Sequence, residues 1–273
     1  MSAGGVVIGE LHELEDVRQL AALLAEVWER PDDPPINTDL LKALAHSGNY
    51  VAGARVGERL VGGLVGWLGT TAANEIHMHS HILGVVPNSQ ATGLGFALKQ
   101  HQRRWCLEHG IKIVEWTTDP LVGRNAYFNL TKLGARANEY LVDFYGLMTD
   151  GLNAGEESDR LLIRWELDSP RARSAAEGRA AEPDLEGLVR DGAAVVLSIG
   201  PAGEPVAGGA SDARVLICQV PQDIVAMRRA ANAVARAWRL ALRSVLQDAL
   251  GAGYSVTGAT RSGWYVLESL RPE

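Results

Sequence analysis

The stretch His81-Ile-Leu-Gly-Val-Val-Pro-Asn-Ser-Gln-Ala-Thr-Gly-Leu-Gly95 runs an apolar strand into a polar, glycine-bearing loop that opens directly into a helix. Successive backbone N–H groups at such a junction point the same way. Together with the positive end of the helix dipole they form an anion site suited to a pyrophosphate. Gly93 and Gly95 present no side chain that would obstruct a phosphate. The dinucleotide fingerprint Gly-x-Gly-x-x-Gly is absent, and so is the Gly-Lys-Ser/Thr of a Walker loop. The same two glycines would also serve a purely structural end, letting helix and strand pack closely.

Working outward from the loop, the pattern alternates strands and helices. Val6–Ile8 reads as a short strand, and Leu14, Val17, Leu20, Ala21, Leu24 and Val27 recur at helical spacing. Pro31, Pro34 and Pro35 close that helix. A second helix over about 38–46 precedes strands at 49–56, 60–69 and 76–86. Helix then follows from Gly93 to His109, with Gly110 as its stop. A strand at Lys112–Thr117, a helix at 121–133 closed by Gly134, and a strand near 139–147 complete a mixed α/β series. Beyond a loop at 150–160 come a strand at 161–167 and an Ala/Arg/Glu/Ser/Pro-rich stretch at 168–190 with the composition of a linker. Strands near 193–199 and 214–220, one long helix at 222–250 and a pair of strands at 254–260 and 263–268 follow. The expected division is 1–167, a linker at 168–190, and a smaller α/β unit at 191–273.

Leu83-x-Val85-x-Pro87-x-x-Gln90-x-x-Gly93-x-Gly95 resembles the central motif of the GNAT superfamily of CoA-dependent N-acyltransferases. Arg124-Asn-Ala-Tyr-Phe-Asn-Leu-Thr-Lys-Leu-Gly134 is similar to that family's later helix, which lines the pantetheine. The resemblance covers about residues 5–167. It implies a mixed, mostly antiparallel sheet flanked by helices. It also implies acetyl-CoA or another acyl-CoA as co-substrate and a small-molecule amine as acceptor. The phosphate cradle implied is Gln90, Ala91, Thr92, Gly93, Leu94 and Gly95, with Leu83, Val85 and Asn125 further along the CoA. His79-Ser-His, the Arg124 segment and Asp150-Gly-Leu-Asn-Ala-Gly are also similar to a small GNAT group, some of whose members acylate amino-acid amines.

Acyl transfer to an amine requires loss of a proton from nitrogen, stabilisation of a tetrahedral oxyanion, and help for the departing thiolate. By resemblance, the N–H of Val85 or a near neighbour holds the oxyanion. His79 stands where several family members carry a Glu base, and an imidazole with an unperturbed pKa of about 6.5 can accept a proton near neutrality. His77, His79 and His81 alternate with Met78 and Ser80, so the three rings share one strand face. That spacing spreads them over about 13 Å, and no acidic pattern completes a metal site, so no metal is assigned. His79 and His81 are the candidate bases or substrate contacts, with plain packing the alternative. The family's usual Tyr acid falls at Leu130, a departure; Tyr127, three residues earlier on the same helical face, is the substitute candidate. Tyr140 and Tyr145 are further candidates to line the acceptor site.

The chain has 273 residues and a net charge of −7, which argues against a general grip on nucleic acid or anionic membrane. No apolar run reaches spanning length, the N-terminus lacks a signal-peptide pattern, and two distant cysteines suit a reduced, cytoplasmic protein. Arg228, Arg229, Arg236, Arg239 and Arg243 make no clean stripe and read as a solvated helix face. Strand 215–220, the long helix and strand 254–257 faintly echo a GNAT half without its phosphate loop, so cover for the acceptor site or a homodimer contact is its expected role. The expectation for the whole is an acyl-CoA-dependent N-acyltransferase, with acetyl-CoA as donor and the amine of a small molecule, an amino acid among the candidates, as acceptor. A non-catalytic CoA-binding sensor or partner subunit is the alternative, and succinyl-CoA or a longer acyl-CoA the alternative donor.

Overall fold

The computed structural model describes residues 5–71, 74–89, 92–146, 157–209 and 211–270. Two compact units divide after Trp116.

The first unit contains β1 (Val6–Glu10), α1 (Leu14–Val27), α2 (Thr38–His46), β2 (Tyr50–Val56), β3 (Arg59–Thr70), β4 (Ile76–Val85), α3 (Leu94–Glu108) and the start of β5 (Ile113–Thr118). Its strands lie in the order β1-β2-β3-β4-β5. The first four are antiparallel to their neighbours, and β5 runs parallel to β4. Helices cover both faces. A Cβ at Gly62 would meet Leu94 and Leu98 of α3, whereas one at Gly63 would come within 2.2 Å of Leu20 of α1. Gly63 is therefore glycine because α1 lies directly on the strand there. The apolar spacing of α1 puts Val17, Leu20 and Leu24 wholly inside, and Asn37 caps α2 by accepting from the Leu40 N–H at 2.8 Å.

Two irregularities shape the central strands. Val65 pairs with Ile82 and Gly66 with Ser80, so His81 is an extra residue, a β-bulge in β4. Between β4 and β5 the paired residues are Met78 with Val114 and His79 with Glu115, among the described residues. Past His79 the two parallel strands part.

The second unit holds α4 (Gly123–Ala126), β6 (Arg136–Leu141), β7 (Arg160–Glu166), α5 (Pro170–Ala176), α6 (Leu185–Arg190), β8 (Ala194–Ile199), β9 (Pro205–Ala207), β10 (Val215–Gln219), α7 (Ile224–Ala230), α8 (Asn232–Gly251), β11 (Tyr254–Ala259) and β12 (Trp264–Ser269). Its strand order is β7-β6-β11-β12-β10-β8-β9. Only β8 and β10 pair in parallel among the registered pairs of this unit.

Several expectations are corrected here. The units divide in sequence after Trp116, and β6 pairs with β11 through Ala137 and Val256, joining 136–166 to the C-terminal strands. Residues 168–190 are not a bare linker: Ser169 caps α5, with Pro170 in its first turn, and Asp184 caps α6. The long helix breaks at Ala231 (φ −152°, ψ 65°) into α7 and α8. The helix expected at 121–133 is α4 followed by a π-helical turn at Tyr127–Lys132, and the strand near 139–147 is β6, ending at Leu141. In the half-GNAT echo, β10 and β11 are separated by β12.

Candidate functional site

The loop after β4 is built from tight local bonds. A 3-10 turn spans Pro87–Ser89, the Ser89 N–H donates to the Val86 carbonyl at 2.9 Å, and the Thr92 hydroxyl donates to the Ser89 carbonyl at 2.7 Å. Gly93 caps α3 with φ +85°, a conformation that favours glycine. Nothing lies within 4 Å of where its Cβ would stand, and a Cβ at Gly95 would meet only Leu83 Cδ2, at 3.6 Å. Leu94 and Leu98 are buried and fix the helix to the sheet. The first turn of α3 carries no acidic residue. The open space at Gly93 and the absence of acid from the first turn leave this helix start suited to an anion. Leu83 and Val85 line the end of β4, half-buried and buried respectively. Gln90 and Ala91 lie outside the described residues, as does the Asp150-Gly-Leu-Asn-Ala-Gly segment.

Alongside this loop, the other face of β4 carries aromatic rings. Trp67 of β3 pairs with His79. Its ring centroid stands 5.1 Å from that of His79 and 4.5 Å from that of His81. The two imidazoles are 5.7 Å apart. Burial, with His81, His77 and Lys99 nearby, pushes His79 down to about 4, and burial also lowers His81 even though its edge is exposed. Both rings are therefore neutral at neutral pH. His77 folds back over Gly69, where a Cβ would come within 2.9 Å of its ring. Its Nε2 lies 3.6 Å from Glu115 Oε2.

Opposite, on the α3 side, the structure reveals a buried ammonium that carries no sequence motif. Lys99 is 4% exposed, donates to Ser80 Oγ at 2.8 Å and Gln102 Oε1 at 3.2 Å, and stands 3.7 Å over the Trp116 ring. Ser80 and Trp116 are the residues immediately after the last β4–β5 pair, so Lys99 sits where the strands part. Burial lowers it to about 7. The only hint in the sequence was a cation inside the buried stripe of α3, between Leu98 and Gln102.

Tyr127 and Asn125 belong to the second unit. Asn125 is exposed and Tyr127 half-buried, and the Arg261 guanidinium stands 4.6 Å over the Tyr127 ring. Leu130 is wholly buried. Tyr140 donates to Asp159 Oδ2 at 2.6 Å, and burial raises its phenol; Tyr145 is exposed, with its hydroxyl 3.1 Å from that of Thr117. The solvated-face reading of the arginines holds for Arg229 and Arg236, which are exposed. It fails for three others. Arg239 grips Asp119 with two bonds of 2.8 and 3.0 Å, Arg228 adds one of 2.6 Å, and Arg243 holds Asp159 at 2.7 and 2.8 Å as well as Glu157. Against burial, which alone would raise it, the Arg239 and Arg228 guanidiniums hold the Asp119 carboxyl well below its ordinary range. Cys106 and Cys218 are buried free thiols, and no helix among the described residues is long and apolar enough to cross a membrane.

Comparison with known proteins bears on the first part of the chain. Residues 13–134 match the model of the Acetyltransferase (GNAT) family. No curated protein matches. Among solved structures, an aminoglycoside acetyltransferase from an uncultured soil metagenomic sample, in complex with sisomicin, is 24% identical over 42% of this chain and 78% of its own, with a TM-score of 0.38. An acetyltransferase of the GNAT family from Streptococcus pneumoniae is 12% identical over 59% of this chain and 98% of its own, with a TM-score of 0.49. Drosophila melanogaster polyamine N-acetyltransferase is 15% identical over 60% of this chain and all (100%) of its own, with a TM-score of 0.48. Over residues 13–134, then, the chain is similar to the GNAT acetyltransferase family.

Proposed function

We propose that the chain is an acyl-CoA-dependent N-acyltransferase that moves an acyl group, acetyl in the first instance, onto the primary amine of a small molecule. The observation that supports this reading is the Gly93-capped start of α3, which follows the same strand β4 that pairs with β5 no further than His79 among the described residues. An acyl-CoA supplies a thioester carbonyl for the amine to attack. The residues of this chain supply the rest. The α3 N-terminus, Thr92, Gly93 and Gly95 seat the phosphates, with Gln90 and Ala91 part of the same proposed cradle. Leu83 and Val85 flank the pantetheine, and the Val85 N–H or a near neighbour is proposed to hold the oxyanion. As nitrogen attacks it becomes positively charged and acidic enough to release its proton to neutral His79, with His81 beside it. Tyr127 is the candidate to protonate the leaving thiolate, and Asn125 the candidate to contact the pantetheine.

The second reading, a CoA-binding sensor without turnover, is favoured by the buried Leu130 in the slot of the usual Tyr acid. Calorimetric titration with CoA, acetyl-CoA and succinyl-CoA, on the wild type and on Gly93→Asp, tests both. Binding that Gly93→Asp abolishes supports the cradle, and the preferred ligand names the donor. Absence of binding to all three would overturn the proposal. Turnover that His79→Ala loses while CoA affinity persists separates the enzyme from the sensor.

A further inference from the structure

A cavity of about 630 Å³ lies wholly within the second unit. Its walls come from the end of the π-helical turn, the start of α5, residues 179–184, α6, and the paired strands β11 and β12. None of the described residues proposed to hold CoA borders it. Three features of the sequence build it. Gly134 (φ +72°) lets α5 begin directly on the chain, since a Cβ there would come within 2.8 Å of the Arg171 carbonyl oxygen. Gly258 lets the stretch 179–184 settle on β11, with Pro183 Cγ 3.0 Å from where its Cβ would stand. Between Val256 and Gly258 the β11–β12 register slips, which makes Thr257 the extra residue of a bulge. Its carbonyl accepts from Arg171 Nη2 instead, and the same nitrogen donates to the Leu130 carbonyl at 3.3 Å.

Those two carbonyls hold the guanidinium without neutralising it. Both bonds leave from Nη2, and Nε is buried without an acceptor. No carboxylate among the described residues makes an ion pair with Arg171. Burial and the charge of Arg136 act against its cation, and Glu268 favours it from a distance. Three other arginines of this unit are matched differently: Arg228 and Arg239 clasp Asp119, and Arg243 clasps Asp159. A partly desolvated guanidinium that lacks a carboxylate is a receptor for one, because its planar fork fits that group.

The other charges of the wall can be sorted in the same way. Arg179 is paired with Glu177, and Asp184 is occupied in capping α6. Glu268 and Asp191 are exposed and make no ion pair among the described residues. The cavity thus offers one unmatched cation and two unmatched carboxylates, with Leu188 and Val266 as apolar wall. A polyanion would meet the acids, and a polycation would meet the guanidinium.

We infer that this cavity binds a small zwitterion, its carboxylate received by Arg171 and its ammonium by Glu268 and Asp191. The volume is that of an ordinary small-molecule site, about 300–1,000 Å³, and admits a ligand up to the size of a short peptide. The site goes beyond the acyltransferase reading and does not depend on it.

The test is an NMR-detected titration of the full chain, without CoA, on the wild type, Arg171→Met and Glu268→Gln. The probes are 6-aminohexanoate, the free tripeptide Gly-Leu-Gly, its N-acetylated form, its C-terminal amide, and inorganic phosphate. At least one of the two zwitterions should bind saturably, and more tightly than either capped form or phosphate. Arg171→Met should weaken it by about tenfold or more, the order of one lost charged hydrogen bond. Glu268→Gln should weaken the free-amine probes several-fold and leave the N-acetylated form unchanged. Saturable binding by neither zwitterion would overturn the inference. So would capped forms or phosphate binding as tightly, or binding that neither substitution alters, which would place the ligand elsewhere. If Arg171→Met does not fold, Glu268→Gln, at an exposed position, decides by whether the preference for a free amine falls. The CoA titrations are separate experiments, so failure of either proposal leaves the other standing.

Discussion

Lys99 places an ammonium in the interior between the Ser80 hydroxyl and the Trp116 ring, and the cost of desolvating it has a measurable signature. Its proton leaves near pH 7 in the folded state but near 10.5 in the unfolded chain. Between those values the unfolded state binds more protons, so this group makes stability rise with pH. Lys99→Met keeps an unbranched chain without the charge, and Ser80 and Gln102 still bond each other at 3.0 Å. The variant should therefore melt above the wild type near pH 6, by a margin that narrows toward about pH 9. A variant less stable at every pH would mean that the lysine's bonds outweigh its burial. For His79, the acidic limb of kcat/KM should lie near 4, where its proton binds, rather than near the ordinary 6.5. His79→Ala should lower kcat by about 10²–10⁴-fold. A limb found near 6.5 would place the base elsewhere. The sequence showed that His79 stands on the motif strand, but its lowered pKa comes first from burial, with His81, His77 and Lys99 nearby, and burial is not encoded locally.

At the level of elements, α7, α8 and the loop after β5 are joined by Asp119, which faces both Arg228 and Arg239. Asp119→Ala removes the carboxylate and leaves two desolvated guanidiniums facing each other. It should cost about 3–5 kcal/mol in urea unfolding, whereas changing Asp119, Arg228 and Arg239 together to apolar residues should cost much less. Equal losses in the two cases would refute the pairing account. The helices and strands themselves were largely legible, since period and punctuation are local: α3 ends at Glu108, one residue before the expected His109, and β11 and β12 fall within one residue of their expected bounds. Three features were not. The π turn at Tyr127–Lys132, the break at Ala231 and the His81 bulge each shift the backbone by about a residue, less than a hydrophobic period can resolve. The arginines of α8 looked solvated because helical spacing reports a face, not what lies opposite it.

Over the whole molecule, groups that resist protonation in the fold set the acid response. His79 and His81 bind protons less readily folded than unfolded, and Asp119 holds its charge to lower pH. Each contribution is present above the unfolded pKa and is lost as pH falls through the folded one. The melting temperature should therefore begin to fall below about pH 6.5 and keep falling past about pH 4. A flat profile between those values would show that the histidines are not held neutral. By itself the sequence determined the order of elements, the Gly93–Gly95 start of α3 and the likeness of residues 13–134 to the GNAT family. Those depend on near neighbours along the chain: strand into loop into helix, with a positive φ that glycine meets at least cost. Tertiary structure alone decided that β6 joins β11, that Lys99 lies where β4 and β5 part, that Asp119 is clasped by two arginines, and that Trp67 stacks against two histidines. Each brings together residues far apart in sequence, and the register of pairing and the packing of helices on the sheet, not any local pattern, choose such partners.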